Sequence, residues 1–362
     1  LSCGTPAFVV SGTTGLTELA SSQALRVLPD ANPETFASAL TALLSKPAKR
    51  LEAARNGVDL IRRNFGFTSY AGELLRLAGM VQPRITVIVP NYNYARYLPH
   101  RIATILAQEL PVWEIIFLDD ASTDNSLEVA ERLLQDCGIN YRIVPNKKNS
   151  GSVFVQWMKG VELARGDIVW IAEADDWASA RFTKVAGAAF QDSDVVLSYT
   201  QSNQVTEDST FLATHYLDYV ADIDRERWRR PFVNDGKAEL NDGFSVKNTI
   251  PNVSGVLIRR DALAATLAAH FPEIRSYRVA GDWCAYAHIA ALGKVAFDPR
   301  PLNYHGRHVG SVTVSRFTQA DWDEIARMQA RVRELGEVSP ENVSKAKAYL
   351  DLLAERLAPA TK

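Results

Sequence analysis

Four short apolar runs, each closed by a cluster of polar residues, constrain this chain more than any other feature. Ile85–Val89 is followed by Pro90-Asn91-Tyr92-Asn93 and Ile115–Leu118 by Asp119-Asp120. Tyr141–Val144 is followed by Asn146-Lys147-Lys148-Asn149, and Ile168–Ile171 by Glu173-Ala174-Asp175-Asp176. Helical patterns over Ile102–Leu110, Ser126–Leu134 and Val153–Ala164 separate the runs. Strands this apolar, alternating with helices, predict a mostly parallel sheet covered on both faces. In an open α/β sheet the ligand sits outside the carboxyl ends of the strands. Four polar clusters at four such ends therefore predict one site. Helix capping accounts for Asp124, but poorly for adjacent carboxylates directly after buried strands.

The rest of the chain is organised around that block. Upstream, Ala7–Val10 and Leu25–Leu28 read as strands, and 33–44, 50–63 and 70–77 as helices. A break at 79–84 divides residues 1–80 from an α/β domain over 81–316. Residues 200–250 read as polar and irregular. Val253–Ile258 and Val295–Phe297 read as strands, and Asp261–Ala268 and Asp282–Leu292 as helices. Residues 317–362 form a C-terminal extension with two amphipathic helices. The charged run 224–230 reads first as a solvated loop, and second as a patch for an anionic lipid-linked acceptor or membrane surface.

Composition excludes several function classes. With 40 Lys+Arg against 42 Asp+Glu, the net charge of −2 supplies no field for nucleic acid. Three dispersed cysteines, Cys3, Cys137 and Cys284, make neither a disulfide framework nor a zinc site and suit a reducing cytosol. No apolar run is long enough for a transmembrane span. The expected location is cytoplasmic, with peripheral association at the inner face of the membrane left open. The chain opens at Leu1 and is expected to be a piece of a longer polypeptide.

The chemistry points the same way. Glu173, Asp175 and Asp176 on a turn offer clustered hard oxygens, which suit Mg²⁺ or Mn²⁺ and not zinc. Such a metal would neutralise a pyrophosphate leaving group. A carboxylate of the Asp119-Asp120 pair can accept from a base N–H or a ribose hydroxyl. Tyr92 offers an aromatic face to a base, or simply packs. The amides of Asn149-Ser150-Gly151-Ser152 either face a phosphate or only cap the next helix. Glycine-rich phosphate loops are absent.

These motifs together are specific. ITVIVPNYNYARYL, IIFLDDASTDNS, NSGSVFVQWMKGVELARGDIVWIAEADD and the GDW segment resemble glycosyltransferase family 2 of the GT-A fold, over about residues 84–315. The resemblance implies an NDP-sugar donor, a divalent metal, a glycan or lipid-linked saccharide acceptor and inversion at the anomeric carbon. It implies that Pro90, Tyr92, Asn93, Asp120, Asn149 and Arg307 bind the donor. Asp175 would touch ribose or metal, and Asp176 would ligate the metal of the DXD-type motif. Where many relatives have Asp-Ala-Asp-Asp, this chain has Glu-Ala-Asp-Asp. Asp282 stands where the family has its general base, although a residue opening a helix also suits an N-cap. Trp283 either stacks on a sugar or belongs to the core. Asn252 and Ser254 would lie on the acceptor side, and His308 in a late loop closing over the diphosphate and metal.

Residues 1–80, through CGTPAFVVSGTTGLTELA and LRVLPDANPETFASALTALLSKP, resemble the end of a GT-B enzyme of family 4. They imply an upstream glycosyltransferase domain in a multi-domain, polymer-building enzyme, with Glu18 as a remnant of its donor site. Two other readings compete with an active transferase of bacterial cell-surface polysaccharide assembly. One is a catalytically inactive sugar-nucleotide or glycan-binding module. The other is a nucleotidyltransferase, which wants a glycine-rich basic loop where PNYNYARYL stands.

Overall fold

The computed structural model describes residues 7–10, 25–64, 83–307 and 317–357. Glu18, the expected helix over 70–77 and His308 lie outside these residues. The chain divides into two compact units that meet in sequence at Gln82 and Pro83. In the first, β1 (Ala7–Val10) pairs in parallel with β2 (Leu25–Leu28). Two helices follow, α1 (Pro33–Leu44) and α2 (Pro47–Asn64). Asn32 caps α1 by accepting from the Glu34 amide, and Pro33 stands at its first position, where a missing N–H costs nothing.

The second unit is built on one mixed sheet. Its expected half is present: β3 (Ile85–Asn91), β4 (Glu114–Asp119), β5 (Asn140–Pro145) and β6 (Ile168–Ile171) lie together in the order β6-β3-β4-β5. Strand β3 runs parallel to both β4 and β6. Strands β3, β4 and β6 are buried along their whole length, as apolar runs with helices on both faces require. Helices α3 (Leu98–Leu106), α4 (Ser126–Leu134) and α5 (Val153–Leu163) connect them. Helix α3 starts and stops four residues before its expected span, because Pro99 suits the first turn and Gln108 closes the end by donating to Thr104 O.

The other half of the sheet departs from expectation. After β7 (Trp177–Ala178) and α6 (Phe182–Ala188), β8 (Val195–Val205), an eleven-residue strand inside the sheet, runs on into the segment expected to be irregular from residue 200. Ser198, Thr200, Gln201, Ser202 and Asn203 are all buried there. Alternation cannot reveal a strand whose polar residues face inward. The rest of 200–250 holds β9 (Phe211–Ala213), α7 (Leu217–Val220), β10 (Phe232–Asp235) and α8 (Gly236–Glu239), which continues as a π-helical turn over Leu240–Phe244.

Three more corrections concern this half. The start of the strand expected over Val253–Ile258 is a 3₁₀ turn (Val253–Gly255), and β11 follows at Val256–Arg259, antiparallel to β6 and β8. Helix α9 (Arg260–Ser276) runs on through Pro272, held by buried Leu263, Leu267 and Ile274. After α10 (Gly281–Ala290), the short strand expected over Val295–Phe297 extends as β12 (Lys294–Gly306), parallel to β8. Pro299 and Pro301 fall where the register shifts, the place in a sheet that tolerates a missing donor.

Helices α11 (Gln319–Leu335) and α12 (Pro340–Glu355) match the two expected C-terminal helices. Met328 and Val332 of α11 join the same buried cluster as Trp283, Phe244 and Val246. The charged run is only partly solvated. Trp228 is buried and donates to Tyr199 OH at 2.8 Å, and Arg227 pairs with buried Glu239. A tryptophan at its centre anchors the run. Among the described residues, no helix is long and apolar enough to cross a membrane.

Candidate active site

The polar ends of the strands open onto one cavity of about 500 Å³. Pro90 and Tyr92 come from the end of β3, Asp120 from β4, Asn149 from the loop after β5, and Glu173 and Asp175 from the turn after β6. Asn252 and Asp282 complete it from the opposite wall. The four strand ends therefore converge on one cavity, and Asp282 lines the same cavity.

The two carboxylates after β4 have different tasks. Asp119 is buried and holds the turn, accepting from Asn91 Nδ2 at 2.9 Å and from the Ser122 amide at 2.9 Å. Asp120 lines the cavity and collects donors from the next loop. Asn146 Nδ2, the Ser150 amide, Ser150 Oγ and Gln156 Nε2 all lie within 2.6–2.9 Å of its oxygens. It thus folds the 146–152 loop onto the cavity, with part of its accepting capacity already used. Asn93 does not line the cavity. Its Oδ1 accepts from the Thr123 amide at 2.7 Å and so ties the β3 turn to the β4 turn. Tyr92 is 45% exposed on the cavity wall.

In the acidic turn, Glu173, Asp175 and Asp176 each offer an oxygen within 4.8 Å of the others. Burial and the neighbouring carboxylates push the Glu173 carboxyl well above its usual range, and burial with Asp175 pushes Asp176 up. Such a cluster resists holding several negative charges at once and would be relieved by a cation. All its donors are hard carboxylate oxygens, so the residues fit Mg²⁺ or Mn²⁺. One permanent positive charge sits behind it. Arg101 on α3 is fully buried, stacks on Trp170 at 4.8 Å, and interacts electrostatically with all three carboxylates.

Asp176 faces away from the open cavity into a buried polar relay. Asn252 Nδ2 donates to Asp176 Oδ2 at 2.8 Å, and Asn303 Nδ2 donates to Asn252 Oδ1 at 2.8 Å and to Ser202 Oγ at 3.0 Å. The Gly306 amide donates to Asp176 Oδ1 at 2.8 Å. A Cβ on Gly306 would lie 2.3 Å from Asp175 O, so only glycine allows β12 to approach this closely. Ser254, expected on the acceptor side, is buried. Its hydroxyl accepts from the Glu173 amide at 3.0 Å, and it therefore shapes the acidic turn.

Asp282 opens α10 at the cavity wall, half-buried. Its Oδ1 accepts from the Trp283 amide at 2.7 Å and its Oδ2 from Asn248 Nδ2 at 3.2 Å. Burial raises its carboxyl to about 6, against the opposing pull of those two donors. A carboxylate tuned towards neutrality suits proton abstraction. Trp283 is a core residue: it is 2% exposed and donates to Phe244 O at 3.1 Å, which rules out stacking on a sugar here. Arg307 stands outside the cavity lining, at the end of β12, where its amide donates to Val205 O.

Residues 86–263 match the family model for glycosyl transferase family 2. This match places residues 86–263 in glycosyl transferase family 2. The protein is a glycosyltransferase of the GT-A fold. A glycosyltransferase of Nostoc sp., named as uncharacterized, is 28% identical over 256 residues, 69% of this chain and 72% of that protein. TuaG of Bacillus subtilis, named as a putative teichuronic acid biosynthesis glycosyltransferase, is 28% identical over 130 residues, 36% of this chain and half of TuaG. Residues 1–349 of Staphylococcus aureus TarS, in complex with UDP-GlcNAc, superpose with a TM-score of 0.53 at 16% identity, covering 75% of this chain and 72% of that one. That likeness is one of fold. The matched family segment ends before Asp282, Asn303 and Gly306.

Asn248, Gln156, Asn303, Ser202 and Arg101 could not be singled out from the sequence, and Ser150, expected to offer its amide to a phosphate or cap a helix, instead donates to Asp120. Buried Asn303 and Ser202 left one faint signal: amide and hydroxyl side chains concentrated in two stretches, SYTQSNQ and LNYHG.

Proposed function

We propose that this glycosyltransferase moves a sugar from a nucleoside-diphosphate donor to a hydroxyl of a glycan or lipid-linked glycan, with inversion, during assembly of a bacterial cell-surface polysaccharide. The observation that carries the reading is the single cavity that joins the acidic turn to Asp282. The name of TuaG and the UDP-GlcNAc bound to TarS agree with a nucleotide-sugar donor and a cell-wall glycan product.

Tyr92 and Pro90 receive the base, with Asp120 shaping the loop beside it. Glu173, Asp175 and Asp176 would hold a Mg²⁺ or Mn²⁺ ion, which when bound supplies positive charge against the diphosphate. Asp282 takes the proton of the acceptor hydroxyl. The acceptor oxygen bonds to the anomeric carbon as the bond to the diphosphate oxygen breaks on the opposite side. The electron pair leaves with the nucleoside diphosphate, and inversion follows from in-line attack. Asn252 reaches the cavity beside this path while holding Asp176.

The test is to incubate the protein with Mn²⁺, an oligosaccharide acceptor panel and UDP-, dTDP- and GDP-sugars of known anomeric configuration. Nucleoside diphosphate release is followed, and product configuration is read by NMR. An inverted product is expected. A retained configuration would overturn the mechanism, and nucleotide binding with no release in any combination would favour an inactive binding module.

A further inference from the structure

Two chain segments set the position of Asp282: residues 278–281, which lead into α10, and residues 246–248, which carry Asn248. Both are held by the C-terminal helices, outside the family-matched segment. Glu324 of α11 accepts from the Arg278 amide at 2.8 Å and from the Val279 amide at 2.8 Å. These are backbone groups ahead of a helix start, and a carboxylate is a strong acceptor for them. Asp321, one turn earlier and buried, takes the Arg278 guanidinium, with Nε at 3.0 Å. Arg278 and Val279 both line the cavity.

The second segment is held as firmly. Gln329, buried on α11, donates to Val246 O at 2.8 Å and to Ala346 O of α12 at 3.0 Å, so one amide group ties three pieces of chain together. The Lys247 ammonium lies 4.1 Å from the Tyr349 ring of α12 and 4.8 Å from the Tyr219 ring, and pairs with Asp222. The next residue is Asn248, which donates to Asp282.

We propose that α11 and α12 form a clamp that positions Asp282 for the acceptor hydroxyl, with Glu324 and Gln329 as its positioning residues. This rests on the reading of Asp282 as the base. The contacts named here grip the base side of the cavity, whereas the donor side, from Pro90 to Asp176, follows the ends of the sheet strands. A loosened clamp therefore slows transfer and spares nucleotide binding. A misplacement of about 1 Å can cost on the order of 10²-fold in rate.

The test uses the full chain with Glu324→Ala, Gln329→Ala, Glu324→Gln and, as a control on the same helix, the exposed Asp323→Ala. UDP, dTDP and GDP affinity with Mn²⁺, turnover of the matching nucleotide sugar and amide hydrogen exchange are measured for each. Glu324→Ala and Gln329→Ala are expected to lose turnover through kcat, with nucleotide affinity unchanged and faster exchange at both 246–248 and 281–284. Glu324→Gln, which keeps an acceptor oxygen, is expected to recover most of the rate, and Asp323→Ala to match the parent. Parent-like kcat and exchange in both alanine variants would overturn the clamp. So would a loss of nucleotide affinity parallel to the loss of rate. Asp282→Asn separates the two claims: if it turns over normally, the base reading fails, whereas if it is inactive and Glu324→Ala is normal, only the clamp fails.

Discussion

The two halves of the central sheet solve different problems. Strands β3, β4 and β6 are apolar through their middles; apart from Thr86 and Glu114, which pair near the starts of β3 and β4, their polar residues come at the last strand residue or past it, towards the cavity. Strands β8 and β12 carry polar side chains inside the sheet: Ser202 and Asn303 meet there and pass their order to Asn252 and Asp176. The first half presents groups to a ligand, and the second fixes how those groups stand. The directional bonds of this buried network specify one geometry for the acidic turn, although Asn303 Oδ1 finds no partner among the described residues. Breaking the presenting half should abolish chemistry. Breaking the fixing half should loosen metal and nucleotide binding and lower stability.

The largest effect is expected outside the sheet, on the wall that faces the presenting half: Asp282→Asn should lose roughly 10²–10⁴-fold in transfer rate with nucleotide binding retained. Rate assays paired with binding titrations check it. Next comes Asn303→Leu in the fixing half. It leaves Asn252 and Ser202 without their buried partner, and a loss of about 1–3 kcal/mol of stability is expected. Denaturant unfolding measures that loss, and Mn²⁺ titration should show weaker binding although Asn303 touches no ligand. A parent-like Mn²⁺ affinity would remove the distinction between the halves.

Smaller effects come from proton linkage. The Asp282 carboxyl is raised to about 6 from an unfolded value near 3.8. Its contribution favours the folded state fully below the lower value and is lost as pH rises through the upper one. Asp282→Asn should therefore melt higher than the parent at pH 8, by about 2–4 °C for each kcal/mol relieved, with most of the difference lost at pH 4. Thermal melts at both pH values decide this. The transfer rate should fall on its acid side near pH 6, where the carboxylate gains its proton. Because Glu173 and Asp176 are also raised, Mn²⁺ binding should release protons and weaken as pH drops. Calorimetry in buffers of different ionisation enthalpy would show it.

How much of this was legible in the sequence follows from the same contrast. Apolar runs with polar ends announce both strand and site, so Asp120 and Asp175 could be singled out, whereas Asp282, at a helix start, stood out only through the resemblance of its GDW segment. Strand β8 could not, because SYTQSNQV has neither an apolar run nor alternation, and its polar residues are matched by those of β12 more than ninety residues later. Ser254 and Trp283 show the converse. Each stands in a motif that points at the acceptor, yet the structure buries both, one under the acidic turn and the other in the core. Proximity in sequence to a cavity residue does not say which way a side chain turns.

The most direct measurement is a thermal-shift panel of UDP, dTDP, GDP and CMP, with and without Mn²⁺, on the parent, Asp176→Asn and Asp282→Asn. A ligand that binds only the folded state raises its melting temperature by mass action. The expected result is a Mn²⁺-dependent rise with one nucleoside diphosphate in the parent and in Asp282→Asn, and none in Asp176→Asn. No rise with any nucleotide in well-folded parent protein, or an undiminished rise in Asp176→Asn, would contradict the assignment of the cavity as a metal-assisted donor site.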